Sequence, residues 1–443
     1  MSVFSTSLNC KDMAKLWDKG FDTDALIEKF TIGNDALLDE KLAKYDITGT
    51  MAHIRMLEKV GLLEKSELDK LIPELEALLA AAEKGEFRIS DGIEDVHSQV
   101  EFILTEKLGD LGKKIHTGRS RNDQILVDMR LFAREQLKVT ASKVKTLFDV
   151  LLSSSVRYGK YLMPGYTHLQ VAMPSSFGLW LGAYAESLAD DMILLGAAYE
   201  YVNCNPLGSA AGYGSSAPLD RKMTTRLLGF RDLEYNSICA QLGRGKSEKV
   251  AAQALAAVAE TLGRFAADCC LFNSQNFGFI KLPDTLTTGS SIMPHKKNPD
   301  VFELIRGHCN RIIAAPETIS HICTNLPSGY FRDMQLIKEV FVPLFSEIDD
   351  CLDIAAYAVK NLSIKKDLMR NPLYKTAFSV EEVNRRVAEG VPFRDAYRQV
   401  GEEILEGSFE FKGELHHTHE GSVGNLCSAQ IRRKMNKAMK NLK

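Results

Sequence analysis

The run from Ala251 to Phe272 restricts what this chain can fold into more than any other stretch. Ala251, Leu255, Val258, Leu262, Phe265, Cys269 and Phe272 alternate steps of four and three, the spacing of one face of an α-helix. Alanines fill many positions between them, so the helix is small and apolar over much of its circumference. Such a helix is stable in water only when neighbours cover it on several sides. The run predicts a helix buried in a bundle, with helices of other subunits among the expected neighbours.

The remaining pattern is also helical. Residues 12 to 84 read as helices broken by polar turns, with an apolar stripe over Ile47, Met51, Ile54, Leu57 and Val60 that ends at Gly61. Glu67 to Lys84 repeats it through Leu68, Leu71, Leu75 and Leu78. A helix starting near Ile93 carries Glu94, Asp95 and His97, and the two carboxylates suit a helix N-terminus whatever else they do. Long helices are expected from Ile125 through Leu151, over Ser175 to Tyr201, over Asp300 to Thr324, and from Asp333 through Leu352. Shorter ones with a basic end follow from about residue 360, and there is no repeat, low-complexity tract or convincing β alternation. The predicted fold class is all-α.

Composition closes off several functions. The chain has 443 residues, 45% hydrophobic and 26% charged, enough for a large core. A formal net charge of -3 gives no electrostatic reason to expect nucleic acid or an anionic membrane as partner. No stretch reaches the ~18 uncharged apolar residues of a membrane span, and Met1 to Cys10 lacks a basic segment followed by an apolar one, so a cytoplasmic protein is expected. The nine cysteines contain no C-x-x-C, arguing against a disulfide framework or a zinc ribbon. His416, His417 and His419 lie in a polar segment without partner ligands, and no metal or other cofactor is expected.

Chemistry is sought where the helices are interrupted. Thr288 to Asp300 reads Thr-Gly-Ser-Ser-Ile-Met-Pro-His-Lys-Lys-Asn-Pro-Asp, a flexible polar run between Pro294, Pro299 and long helices. Taken alone it is either a solvated surface loop or a loop whose serine acts as a base, its alkoxide held by a lysine and backbone N–H groups. His116 to Gln124 precedes a long helix, where free N–H groups joined by Arg119 and Arg121 would suit a dicarboxylate; a basic cap making surface salt bridges is the alternative. Met163 to Pro174 is a second irregular connection, with Thr167 and His168 inside it. Gly243-Arg-Gly-Lys-Ser247 fails as a phosphate loop, because Ala240 stands where glycine is needed and no strand precedes it.

The loop at 288–300 resembles the signature of the fumarase/aspartase superfamily, whose members break a C–N or C–O bond and release fumarate. His116-Thr-Gly-Arg-Ser-Arg-Asn-Asp123 and Met163-Pro-Gly-Tyr-Thr-His-Leu-Gln170 are similar to blocks of its argininosuccinate lyase branch, in the same order along the chain. Asn205-Pro-Leu-Gly-Ser209 adds a further match. The resemblance implies three helical domains, near 1–110, 111–358 and 359–443, the middle one a bundle of long helices packing into a homotetrameric core. It implies active sites shared between subunits, and the small molecule argininosuccinate as substrate.

It also implies roles. Ser290 would be the base, His168 the partner on the acid side, Glu303 the residue holding the imidazole, and Lys296 and Asn298 contacts to carboxylates. Ser120, Arg121, Asn122 and Thr167 would touch substrate, with Tyr330, Gln335 and Lys338 around the arginine part, the lysine suiting its α-carboxylate. The runner-up readings are another fumarate-releasing lyase, such as adenylosuccinate lyase, and a catalytically silent structural homologue. Four departures bear on specificity. The family's substrate-contacting Phe-x-x-Ser segment is Phe30-Thr-Ile-Gly-Asn-Asp35 here, with no equivalent contact identifiable; the acidic pair after the glutamine is Leu336-Ile337; Ser-Glu-Arg-Asp is Leu242-Gly-Arg-Gly245, retaining only the arginine; and a signature glutamine is His295.

Overall fold

The computed structural model describes residues 25–442, so Cys10 and the expected helical stretch from 12 to 24 lie outside the described residues. In chain order the main helices are α1 (Asp35–Lys59), α2 (Lys65–Glu83), α3 (Val96–Leu108), α4 (Arg121–Tyr158), α5 (Phe177–Val202), α6 (Lys246–Asn273), α7 (Asp300–Ile322), α8 (Ile337–Asn361), α9 (Ser379–Ala388), α10 (Phe393–Leu405) and α11 (Ser428–Ala438). The fold is all-α, as the periodicities predict. Two compact units make up the described chain. The first gathers the residues up to Lys138 with Ala197–Leu255 and Ala314–Phe345, and the second gathers Val139–Gly196, Ala256–Ile313 and the residues from Ser346 onwards.

In the first unit, Ile47, Ile54 and Leu57 of α1 pack with Leu71 and Leu75 of α2 and Val100 and Leu104 of α3 in one buried cluster. α1 stops where expected: Gly61 takes φ +78°, a conformation cheap only for glycine, and the Leu62 N–H donates back to the Leu57 carbonyl at 2.9 Å. α3 begins later than expected, at Val96, because the Asp95 carboxylate accepts the Ser98 N–H at 2.8 Å and so caps the helix. Gly112 lets the chain pass against α3, since a β-carbon there would stand 2.4 Å from the Thr105 backbone nitrogen.

The α6 stripe is buried in full, and this chain's own residues cover it, so its burial does not call for other subunits as the sequence suggested. In the second unit Phe265 stacks on Trp180 at 5.7 Å and meets Tyr184 at 5.0 Å and Phe302 at 6.0 Å. Phe265→Ala removes all three contacts and is expected to cost about 3–5 kcal/mol. Chemical denaturation checks this, and an unchanged midpoint would mean that the site collapses around the gap. A separate small core of Val383, Ala396, Val400 and Phe409 holds α9 and α10 together.

One expectation is corrected. Met163 to Pro174 is not irregular but lies in an antiparallel hairpin of β1 (Leu162–Thr167) and β2 (Gln170–Ser176). Its prolines hid it: Pro164 faces Pro174, where neither residue has an N–H to give, and the register slips between Pro164 and Tyr166. The other strands are two-residue pairings, Cys204–Asn205 with Asp232–Leu233 and Ile280–Lys281 with Ser363–Ile364. Among the described residues no helix is long and apolar enough to cross a membrane.

Candidate active site

The twelve expected site residues divide between the units. Ser120, Arg121, Asn122, Tyr330, Gln335 and Lys338 belong to the first, and Thr167, His168, Ser290, Lys296, Asn298 and Glu303 to the second.

In the first unit, Arg121, Asn122, Tyr330, Gln335 and Lys338 line one cavity of about 140 Å³ together with Asp35, Asp39, Glu94, Asp95, His97, Arg244 and Arg332. Most of its charges are paired. Arg121 meets Glu94 at 3.0 Å, Asp95 at 3.2 Å and the Ser98 hydroxyl at 2.9 Å, so its guanidinium braces the start of α3. Gln335 donates its amide to the Thr31 carbonyl at 2.8 Å. Lys338 is buried, with its ammonium 2.8 Å from Asp35 and 2.7 Å from Asp39. The N-terminus of α4 is less open to an anion than the sequence suggested, since the Ser120 N–H goes to Asp123 and the Asn122 N–H to the Ser120 hydroxyl. The second oxygen of Asp123 accepts the N–H groups of Gly208 and Ala210, which ties the Pro-Leu-Gly-Ser segment to α4.

In the wall of this cavity His97 is buried with its Nδ1 2.7 Å from Asp46 and 3.8 Å from Asp128. Burial alone would lower its pKa, but the charge and hydrogen bond of Asp46, with Asp95 and Asp128, outweigh it and raise the value to about 9. Asp46, His97 and Asp128 place one potential ligand atom each within 4.8 Å of one another, a grouping that sequence spacing did not disclose. The imidazolium offsets the charge of one carboxylate, and burial together with the charge of Asp46 pushes the Asp128 carboxyl well up, towards its neutral form. Because the folded value lies above the ordinary 6.5, the stabilisation is complete below about pH 6.5 and is lost as pH rises through about 9. The thermal midpoint should therefore fall between pH 7 and 9.5 by more in the parent protein than in His97→Asn. Parallel curves would contradict a charged His97.

In the second unit the signature loop is closed at its base, where the Asn298 N–H donates to the Thr288 carbonyl at 2.9 Å and the Thr288 N–H to the Asn298 carbonyl at 3.3 Å. The Asn298 side-chain amide reaches the Gly289 carbonyl at 3.3 Å. Within the loop the half-buried Ser290 Oγ accepts the backbone N–H of Met293 at 3.2 Å and that of Ile292 at 3.4 Å. Two N–H groups aimed at one hydroxyl oxygen stabilise it more as negative charge develops there. The two lysines differ: Lys297 is tied to Asp284 at 2.5 Å, whereas Lys296 is exposed and its ammonium has no partner among the described residues.

His168 and Leu169 form the two-residue tip of the β1–β2 hairpin, both at positive φ, 54° and 56°. A turn of this kind normally takes Asn-Gly, and a bulky residue in the left-handed region costs roughly 1–3 kcal/mol. Thr167 and His168 are exposed there, so the tip presents an imidazole to solvent in a strained conformation. Glu303 is likewise exposed on the first turn of α7. Within the chain no hydrogen bond joins His168, Ser290 and Glu303 to one another among the described residues. Each unit therefore assembles part of the expected set. Asp35, Asp39, Arg244 and Arg332 are cavity residues to which sequence reasoning gave no substrate role; the available signals were the family segments that begin at Phe30 and Leu242, which run up to Asp35 and include Arg244.

A family model described as a lyase matches residues 19–314. An argininosuccinate lyase of Phocaeicola vulgatus is 60% identical over 94% of this chain and 94% of its own length. One of Thermotoga neapolitana is 38% identical, covering 88% of this chain and 98% of its own. In three dimensions the crystal structure of an EDDS lyase in complex with formate superposes with a TM-score of 0.75 over 95% of this chain and 91% of that one, at 23% identity, which speaks for the fold. The residues matched by the family model take in α4, the hairpin and the signature loop, and the chain belongs to the argininosuccinate lyase family of the fumarase/aspartase superfamily.

Proposed function

We propose that this protein eliminates fumarate from argininosuccinate to give arginine, as a step of arginine biosynthesis. The observation that carries the reading is the 60% identity, over 94% of both chains, to a relative named argininosuccinate lyase. The Ser290 geometry supports the chemistry. The reaction removes a weakly acidic proton beside a carboxylate, and the electron pair left on carbon then forms the new double bond as the neighbouring C–N bond breaks. Ser290 takes the proton, its oxygen held by the Ile292 and Met293 N–H groups and by Lys296 once water is excluded. Lys296 and Asn298 bind the carboxylates that share the developing charge, and His168, oriented by Glu303, supplies the proton or hydrogen bond that the departing guanidino nitrogen needs. The cavity with Tyr330, Gln335 and Lys338 takes the arginine end.

The working form is a cytoplasmic homotetramer in which subunits complete each other's sites; the exposure of His168 and Glu303 in one chain supports this. Incubation with argininosuccinate and, separately, adenylosuccinate tests the substrate. Fumarate should appear from the first alone, and release from the second alone would replace this reading by the nucleotide-linked one. A chelator should leave the rate unchanged; loss of activity restored by one added metal would refute metal-free catalysis.

A further inference from the structure

We infer that Asp35 is a specificity-determining residue that receives the α-ammonium group at the amino-acid end of the substrate, an inference that rests on the proposed reaction. The two carboxylates around Lys338 are used differently. Asp39 is spent: one oxygen takes the Lys338 ammonium at 2.7 Å, the other accepts the Val96 N–H at 3.3 Å, and the residue is 1% exposed. Asp35 is not. One oxygen faces Lys338 at 2.8 Å, the other has no partner among the described residues, and the side chain keeps 14% of its surface at the cavity.

Charge makes the same point. Two carboxylates share one ammonium, leaving a local excess of negative charge in a largely buried place. Burial pushes Asp35 up to about 6, against the pull of Lys338 and with the charge of Asp39 adding to the rise. A further cation would relieve this, and the cavity arginines do not supply it: Arg121 and Arg332 are engaged with Glu94, and Arg244, whose charge also pulls Asp35 down, lies against Glu248 at 3.4 Å and the Met334 carbonyl at 3.3 Å. An amino-acid head group brings that cation beside its own carboxylate. The ammonium meets the open oxygen of Asp35, and the carboxylate takes the remaining N–H of Lys338, so each charge on the ligand has one complement on the protein.

Asp35→Asn keeps the size of the side chain and an oxygen for Lys338 but removes the charge. Calorimetric titration with L-arginine and with 5-guanidinopentanoate, which is arginine without its amino group, isolates the effect. The parent protein should bind arginine at least about tenfold more tightly, the scale of a charge-assisted hydrogen bond. In Asp35→Asn that margin should disappear through loss of arginine affinity alone; should that variant not fold, Asp35→Ser carries the same expectation. An equal loss for both ligands, or an unchanged margin, overturns the assignment. Fumarate release from argininosuccinate, measured on the parent protein, separates the two claims: its absence defeats the proposed reaction, while the arginine margin still decides the role of Asp35.

Discussion

Replacing Ser290 with alanine should leave the helices in place and lower kcat by about a thousandfold or more. A general base contributes typically 10²–10⁴ in rate, and no other hydroxyl in the loop receives the N–H groups of Ile292 and Met293. Structure loses little, because Ser290 is half-buried in an otherwise exposed loop and the Thr288–Asn298 pairing that closes the loop does not use its side chain. Circular dichroism and thermal unfolding should match the parent protein while fumarate release falls. A folded variant with near-normal turnover would remove Ser290 from the mechanism and leave Ser291 as the loop hydroxyl to test.

The second large effect is a recovery. His168→Ala and Ser290→Ala should each be inactive, and co-refolded in equal amounts they should regain activity. If a site takes its histidine from one chain and its serine from another, random mixing leaves roughly one site in four with neither defect, by the symmetry of shared interfaces. The hairpin tip supports the idea, since among the described residues the exposed imidazole at positive φ has no hydrogen bond to Ser290 or Glu303 of its own chain. Activity near a quarter of the parent level indicates shared sites. A mixture as inactive as its parents, with hybrid tetramers seen by mass measurement, places both residues in one chain or removes one from catalysis.

Much of the fold was legible because helical periodicity is a local signal. The stripe from Ala251 to Phe272 and the stop at Gly61 follow from spacing and from glycine's conformational freedom. The hairpin was not legible, because Pro164, Gly165 and Pro174 break the alternation that announces strands, while its pairing depends on residues across the turn. The expected site residues came into view through short motifs, which carry residue order but not electrostatics. Nothing in order alone brings Asp46, His97 and Asp128 together, engages Arg121 with Glu94 and Asp95, or sets Asp35 and Asp39 on either side of Lys338. Those are long-range pairings, which exist only once α1, α3, α4 and α8 have packed. The departures at 242–245 and 336–337 read differently in the structure. Arg244 stays buried beside Glu248 at 3.4 Å, and Ile337 is buried while Leu336 is exposed.

Proton NMR follows argininosuccinate directly in the presence of the purified, folded protein. The vinyl signal of fumarate and the signals of free arginine should grow together in equal amounts as the substrate disappears. Substrate left intact by a well-folded, tetrameric protein would contradict the proposed reaction and identify the chain as a silent member of its family.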